Sequence, residues 1–513
     1  MKSSRLKYTL INSTILSVIQ LLTILLKFIT QTVFIRTLGK DFLGLNGLFT
    51  NIISVLSFAE LGIGTAIVFS LYEPLANGNE KKVAALMYLF KRAYTFIGIT
   101  VAVVGMALLP FLHFLIKDYD QLNNVAYYFI LYLSNSVVSY FFSYKRSLLI
   151  ADQHEYISAL NIFGFMVIQV IVQIIMLIFF HAYSLYLWTA VICTFVSNLF
   201  ISKKVNDIYP YLKKFGHVKI ENNLKKVIKN NVIGMIGSKI GSIVVRSTDN
   251  LLISMFLGIA IVGLYSNYML IVTSISTILI KLVSSVTATI GNLATEHDAQ
   301  KSYEVFTKHF MINLFVTTIA SACLLVSLTP FICFWAGKGY ALGFNIVIAI
   351  VLNFFIDQIR QTSITFISAY GLFVPNGKKS VIEAFMNLAL SVIFMKILHL
   401  GIVGTLTGTI CTNIFLNSWW EPLLVLNRGF RLKNIFLIFY VKLYLKNTAF
   451  LLFAVSLFAW LIFELDRYLN MSGILAAVVN SVIMIIMLVL LILTTYRHND
   501  SLRYVKRILK SLI

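Results

Sequence analysis

The chain has 513 residues, of which 59% are hydrophobic and 12% are charged. Its mean hydropathy of +0.87 excludes a water-soluble globular fold of this size. Lysine and arginine outnumber aspartate and glutamate by 42 to 20, a balance that would indicate nucleic-acid binding on a soluble protein. In a membrane protein the side on which these charges lie is more informative than their sum, and we expect no nucleic-acid partner.

Apolar runs of about 20 residues, each long enough to cross a bilayer, recur fourteen times. The first run is too long for a cleavable signal and no small-residue cleavage site follows it, so we expect it to remain as a helix. The sequence therefore predicts an all-α polytopic membrane protein. The runs lie near 10–35, 43–70, 93–116, 124–144, 158–181, 184–201, 232–258, 262–290, 310–336, 341–369, 381–400, 401–418, 447–467 and 472–495.

Most lysines and arginines fall between spans on one side of the predicted membrane. Positive charge marks cytoplasmic segments, so this pattern predicts a cytoplasmic-membrane protein with both termini in the cytoplasm. The segment 202–231 alone carries eight lysines. We interpret it as a cytoplasmic linker on the membrane surface, with a docking patch for anionic lipid or a partner as the alternative.

Short identities recur at an offset of about 219 residues, which is typical of transporters built from two halves. They predict two parallel six-helix bundles at 1–201 and 232–418, joined by the linker 202–231. A cytoplasmic segment at 419–446, an additional helix pair at 447–495 and a basic cytoplasmic tail at 496–513 follow. The identities are Leu38-Gly39 and Gly44-Leu45 with Leu257-Gly258 and Gly263-Leu264, Pro110–Phe111 with Pro330–Phe331, His181 with His399, and Ile192–Thr194 with Ile410–Thr412.

The segment Lys239–Gly258 places polar residues within an apolar run. Lys239, Ser242, Arg246 and Asp249 are spaced by three, four and three residues, which puts them on one stripe of a helix. Charges at this depth normally face a bundle interior or a water-filled cavity. At the repeat offset, Arg246 aligns with Lys27 in the first run, so the two helices present matched polar faces.

By their predicted depth, Lys27 and Arg246 form one layer of this cavity, and a second, deeper layer contains Glu60, Lys239, Lys281 and Arg360. The set is net cationic. A cationic cavity suits an anionic, phosphate-bearing substrate. The alternative is that the charges form internal ion pairs, for example Arg246 with Asp249 or Lys239 with Glu60. The predicted substrate-binding residues are Lys27, Glu60, Lys239, Arg246, Lys281 and Arg360, and the predicted ion-coupling residues are Asp249 and Asp357.

The sequence lacks a nucleotide-binding loop. The nearest approach, 371–380, has the wrong glycine spacing, and we interpret it as a loop with two topology-setting lysines. The four cysteines show neither disulfide nor metal spacing. We therefore predict no cofactor and no metal, and expect an ion gradient, the membrane potential or removal of product to drive transport.

Four stretches carry a family resemblance: Arg36–Leu45, Phe58–Gly64, Arg146–Tyr156 and Thr248–Asn250. With the fourteen spans, they resemble the Wzx-type flippases of polysaccharide repeat units, in the multidrug/oligosaccharidyl-lipid/polysaccharide exporter superfamily. The resemblance implies a flippase for undecaprenyl-diphosphate-linked oligosaccharides in capsule, O-antigen or exopolysaccharide synthesis. It also implies membrane lipid, a polysaccharide polymerase and chain-length machinery as partners, and a lipid-tail groove at the last two helices.

Two other classes of protein compete with the flippase. A multidrug or small-solute antiporter shares the bundle plan, but a cavity for cationic drugs should be net acidic. A polysaccharide polymerase or ligase needs a sizeable outer loop for its catalytic groups, and the predicted outer turns of roughly ten residues are too short for a domain. The sequence thus favours a transporter over an enzyme.

Overall fold

The computed structural model describes residues 2–60, 63–117, 119–215, 247–296, 298–432, 435–469, 473–497 and 503. These residues are predominantly helical, as expected where each backbone amide must find its partner within its own segment. The α-helices of seven or more residues are α1 (Lys2–Leu56), α2 (Ile63–Ala76), α3 (Glu80–Ala107), α4 (Val125–Ala151), α5 (Glu155–Phe180), α6 (Tyr183–Ile208), α7 (247–257), α8 (Ile259–Ser284), α9 (Thr287–Thr295), α10 (Ala299–Trp335), α11 (Phe344–Ile359), α12 (Gln361–Ala369), α13 (Phe373–Val392), α14 (Gly401–Thr412), α15 (Ser418–Leu424), α16 (Lys446–Leu469) and α17 (Gly473–Thr495).

Eleven helices among the described residues are long and apolar enough to cross a membrane, so the chain is a multi-pass membrane protein. Three further predicted runs have separate explanations. The run 43–70 follows the first run within α1 after a non-helical kink at Gly39, and its α-helix ends before Ser57–Glu60. The run 232–258 is described only from residue 247, and the run 401–418 is interrupted by a wide π turn at Asn413–Asn417.

The chain forms two compact units, Met1–Gly263 and Leu264–Ile513. Helix α7, which the sequence repeat assigns to the second bundle, belongs to the first of these units. The Ser254 hydroxyl donates to the Leu115 carbonyl at 2.7 Å, and the Ser254 carbonyl accepts from the Lys117 N–H at 3.4 Å. Contacts with the segment that follows α3 thus hold α7 in the first unit.

The sequence repeat recurs in the backbone. Three pairs of residues, 218 or 219 positions apart, adopt the left-handed conformation that is uncommon for residues other than glycine. Each pair lies at a kink or turn between helices, so the two halves change direction at matching positions. The pairs are Gly39 with Gly258 (φ 80° and 99°), Gln153 with Gly371 (63° and 65°), and His181 with His399 (49° and 54°).

The segment 419–446, predicted as a cytoplasmic segment, packs into the second unit. Val425, Leu426 and Phe439 are completely buried and belong to its main hydrophobic cluster. Two π turns, Val425–Gly429 and Ile438–Leu445, lie in this stretch. Such turns are rare, and they often occur at functional sites because they redirect side chains within a helix.

Candidate functional site

Arg360 is the centre of a buried network of charged side chains in the second unit. It separates α11 from α12, and its side chain is only 8% exposed. It donates to both oxygens of Glu421, at 3.1 Å from Nε and 2.6 Å from Nη2. Nη1 donates to Asn413 Oδ1 at 2.5 Å and lies 3.8 Å from the Asp357 carboxylate. A forked guanidinium–carboxylate contact of this kind fixes both distance and orientation.

Lys379 enters the same network from α13. Its side chain is 2% exposed, and Nζ donates at 2.8 Å to each of Glu383 Oε2, Asn417 Oδ1 and Glu421 Oε1. These three bonds use all the donors of an ammonium group. Asn417 closes the ring by donating to Glu383 Oε1 at 2.6 Å.

Within the described residues, the network balances Arg360 and Lys379 against the buried carboxylates of Glu383 and Glu421. Buried charges persist when they are paired and their remaining hydrogen bonds are satisfied, as they are here. For Arg360 this arrangement favours the internal ion-pair alternative over a cationic cavity wall. The Asp357 side chain, 36% exposed, lies at the rim.

The prediction that 371–380 forms a loop is wrong. Helix α13 begins at Phe373 and buries Lys379 one turn before Glu383, so neither lysine of this stretch lies in a loop. The predicted apolar span begins only at residue 381, because Lys378 and Lys379 lower the hydropathy of the preceding residues. The start of the helix was therefore missed. A usable signal existed, since three polar residues recur every fourth position on one helical stripe. They are Asn413, Asn417 and Glu421.

The first unit holds a comparable polar cluster around Arg146 of α4. Nη2 donates to Asn161 Oδ1 at 3.0 Å, to Asn198 Oδ1 at 3.1 Å and to Ser197 Oγ at 3.2 Å. Nη1 donates to Ser158 Oγ at 3.2 Å. One guanidinium thereby ties α4 to α5 and α6.

The repeat relates these two clusters. Asn161 precedes Lys379 by 218 residues, and Asn198 precedes Asn417 by 219. Their charge differs, because the partners of Arg146 in the described part of the chain are neutral oxygens. Among the described residues, the second cluster is therefore charge-balanced, whereas the partners of Arg146 include no carboxylate.

Glu60 lies where the second predicted run stops being α-helical. The turn Ser57–Glu60 follows α1, and α2 begins at Ile63. The hydroxyl of Tyr94, a residue 2% exposed, donates to Glu60 Oε1 at 2.9 Å. Membrane helices are interrupted where the backbone is buried in protein or lines a polar cavity. This placement is compatible with the predicted site role of Glu60.

The remaining predicted cations divide between exposed and undescribed positions. Lys27 in α1 and Lys281 in α8 are exposed. Lys239 and Arg246 lie outside the described residues, as does any contact they make. The alignment of Lys27 with Arg246 and the alternative ion pairs of Lys239 and Arg246 therefore stay predictions.

Asp249, predicted to couple transport to an ion, lies in α7. Its Oδ1 atom is buried and accepts no hydrogen bond from the described residues. A buried carboxylate oxygen without a partner is costly, and a proton or a cation would relieve that cost. The geometry is compatible with the predicted coupling role.

Solved structures of two transporters and one flippase are similar to this chain in fold. No family model matches the sequence, and a search of curated proteins found no match. Lipid II flippase MurJ, in an inward closed conformation, superposes with a TM-score of 0.65 at 15% identity, covering 94% of this chain and 98% of that one. An inward-facing multidrug resistance MATE family transporter of the MOP superfamily gives 0.59 at 14% identity, covering 76% and 91%.

A third structure, a mutant of the Vibrio cholerae MATE transporter VcmN, gives a TM-score of 0.55 at 14% identity and covers 85% of this chain and 99% of that one. At such low identity the likeness concerns the fold. The chain shares its fold with these solved membrane proteins, and the prediction of an all-α polytopic membrane protein is confirmed.

Proposed function

We propose that the chain is a flippase that moves undecaprenyl-diphosphate-linked oligosaccharide repeat units across the cytoplasmic membrane by alternating access. The product would supply capsule, O-antigen or exopolysaccharide synthesis, with a polysaccharide polymerase and chain-length machinery downstream. Both termini would lie in the cytoplasm. The observation that carries the proposal is the fit to lipid II flippase MurJ over nearly the full length of both chains.

That fit extends over more of this chain than either MATE transporter covers. The last two helices are an integral part of the second unit, where α16 and α17 pack on α10. A separate apolar cluster forms this contact, and small residues let the helices approach closely. Its buried members are Ala322, Val326, Val455, Ala459, Ile462, Met484 and Leu488. In the proposed mechanism this helix pair accommodates the lipid tail.

The proposed route for the diphosphate is lined by Lys27, Lys239, Arg246 and Lys281, with Glu60 at the helix break. Coupling to an ion would occur at Asp249 or Asp357. Arg360 belongs to the balanced network, and we propose that it holds this route in shape rather than contacting substrate. An anionic headgroup is attracted by such cations, whereas a cationic drug is repelled.

A deletion strain of the source cells tests the proposal. We expect lipid-linked repeat units to accumulate and surface polysaccharide to disappear, with both defects reversed by the intact gene on a plasmid. The competing function, a multidrug or small-solute antiporter, predicts normal polysaccharide and increased sensitivity to cationic drugs. That second outcome would overturn the proposal.

A further inference from the structure

A polar cavity of about 140 Å³ lies within the first unit, among α1, α4, α5 and α6. It exceeds by roughly tenfold the ~10–15 Å³ needed to hold one water. Four lining residues carry amides, two carry phenols, and none carries a formal charge. The lining residues are Asn46, Leu131, Tyr132, Asn135, Gln169, Gln173, Tyr186, Leu187 and Ala190.

The amides offer hydrogen-bonding capacity that the described protein leaves partly unused. Asn135 Oδ1 is buried and accepts no hydrogen bond from the described residues. Gln173, 2% exposed, is held in place because its Nε2 donates to the Tyr186 carbonyl at 3.0 Å. An unpaired buried acceptor costs about 1–3 kcal/mol unless a ligand or solvent donates to it. The amide with the unused acceptor thus belongs to a residue that lines the cavity, beside an anchored glutamine.

The two tyrosines are held by neighbouring contacts. The Tyr186 ring packs edge-on against Phe34, with centroids 5.1 Å apart. The Tyr132 hydroxyl shares a 2.7 Å hydrogen bond with Thr50 Oγ1. Rings fixed in this way provide an apolar surface beside the amides without a loss of side-chain entropy on binding.

This combination selects a neutral, hydroxylated ligand. Amide groups both donate and accept, as the neighbouring hydroxyls of a sugar ring do, and the C–H face of a sugar packs on an aromatic ring. A diphosphate would lose its hydration here without meeting a cation. A metal cation would meet no carboxylate among the lining residues.

We propose that this cavity binds one monosaccharide of the transported oligosaccharide, apart from the route of its diphosphate. The inference rests on the proposed function and adds to it a recognition site for the glycan. Asn46 lies seven residues beyond the kink at Gly39, and Tyr186 lies three residues into α6. Both positions are near the helix ends predicted to face outward, so the sugar would be held on the exit side.

The test measures binding of two lipids to the purified full-length protein in detergent. One is the undecaprenyl-diphosphate-linked oligosaccharide from the source cells, and the other is undecaprenyl diphosphate without sugar. We expect the wild type to bind the glycan-bearing lipid at least tenfold more tightly. Asn135→Leu should remove that difference while leaving the affinity for the sugar-free lipid within twofold.

Asn51→Leu is the matched control, because Asn51 is a half-buried asparagine of α1 outside the cavity whose Nδ2 donates to the Gly47 carbonyl. It should keep the wild-type difference. Gln169→Leu, at a half-buried lining position, replaces Asn135→Leu if that variant fails to fold. It should likewise remove the difference.

Three outcomes overturn the inference. The first is equal affinity of the wild type for both lipids, which leaves the proposed function standing. The second is unaltered discrimination between the two lipids in the two cavity variants. The third is a wild type that binds neither lipid, which contradicts the proposed function itself.

Discussion

Gly44 and Gly263 contact each other's turns reciprocally. A Cβ atom on Gly44 would lie 2.0 Å from the Ile259 carbonyl oxygen, and one on Gly263 would lie 2.1 Å from the Lys40 carbonyl oxygen. Ile259 follows Lys40 by the same 219 residues that separate the two glycines. Reciprocity of this kind is the property of a twofold contact, here between two turns of one chain.

We predict that Gly44→Ala and Gly263→Ala each destabilise the protein. The added methyl group meets a backbone oxygen, which cannot rotate away as a side chain can, and overpacking typically costs about 1–3 kcal/mol. Thermal unfolding in detergent measures the effect. Gly164→Ala in α5 is the control, since nothing lies within 4 Å of its Cβ position. Equal melting temperatures for all three variants would contradict the close approach.

A second prediction concerns the charge balance at Glu421. Glu421→Gln removes a carboxylate that is 1% exposed and leaves Arg360 and Lys379 with Glu383 as their remaining buried acid. Breaking a buried ion pair costs about 3–5 kcal/mol. We expect a large fall in melting temperature. Glu464→Gln, which breaks an exposed pair with Arg467, should have little effect. Similar stability of the two variants would argue against a buried network.

The pairing of Arg360 with Glu421 can be measured directly. Arg360→Met alone leaves excess negative charge, whereas Arg360→Met with Glu421→Met leaves the balanced Lys379–Glu383 pair. We predict that the double variant is more stable than the sum of the single effects implies, with a coupling of about 1–3 kcal/mol. Additive effects in urea or thermal unfolding would show that the two side chains do not interact.

The repeat and the helices were predictable from the sequence, whereas the partners of Arg360 were not. Hydropathy and the 219-residue offset can be recognised from local sequence patterns. The positive φ angles of Gly39 and Gly258, and of His181 and His399, recur at nearly the same offset. Glu421 is 61 residues from Arg360, so only the packing of α13 and α15 against the junction of α11 and α12 brings the charges together. From the charge count alone, Arg360 was predicted to line a cavity. In the structure, its charge is neutralised by carboxylates inside the second unit.

Substitution of Lys27 tests the transport route separately from the stability of the protein. Because its side chain is exposed, Lys27→Ala should change the melting temperature little. We predict that it abolishes polysaccharide export while the protein still inserts in the membrane. Lys396→Ala, another exposed lysine at the end of the π turn Ile393–Ile397, should export normally. Normal polymer from cells carrying Lys27→Ala would remove this residue from the route.

Asp249 is the proposed coupling residue. Asp249→Asn keeps the shape of the side chain but cannot release a proton or balance a cation. We predict that transport in reconstituted vesicles then becomes independent of the proton or sodium gradient. Gradient dependence equal to that of the wild type would assign coupling elsewhere, with Asp357 as the next residue to test.

Transbilayer movement of the lipid-linked oligosaccharide is the most direct test of the central claim. Vesicles containing the purified protein and a trace of fluorescently labelled undecaprenyl-diphosphate oligosaccharide are treated with a membrane-impermeant quencher. We predict that nearly all the label becomes accessible, against about half in protein-free vesicles, and that Lys27→Ala restores the protein-free value. The flippase proposal would be contradicted if the label were no more accessible than in protein-free vesicles while the same preparation transported a cationic dye.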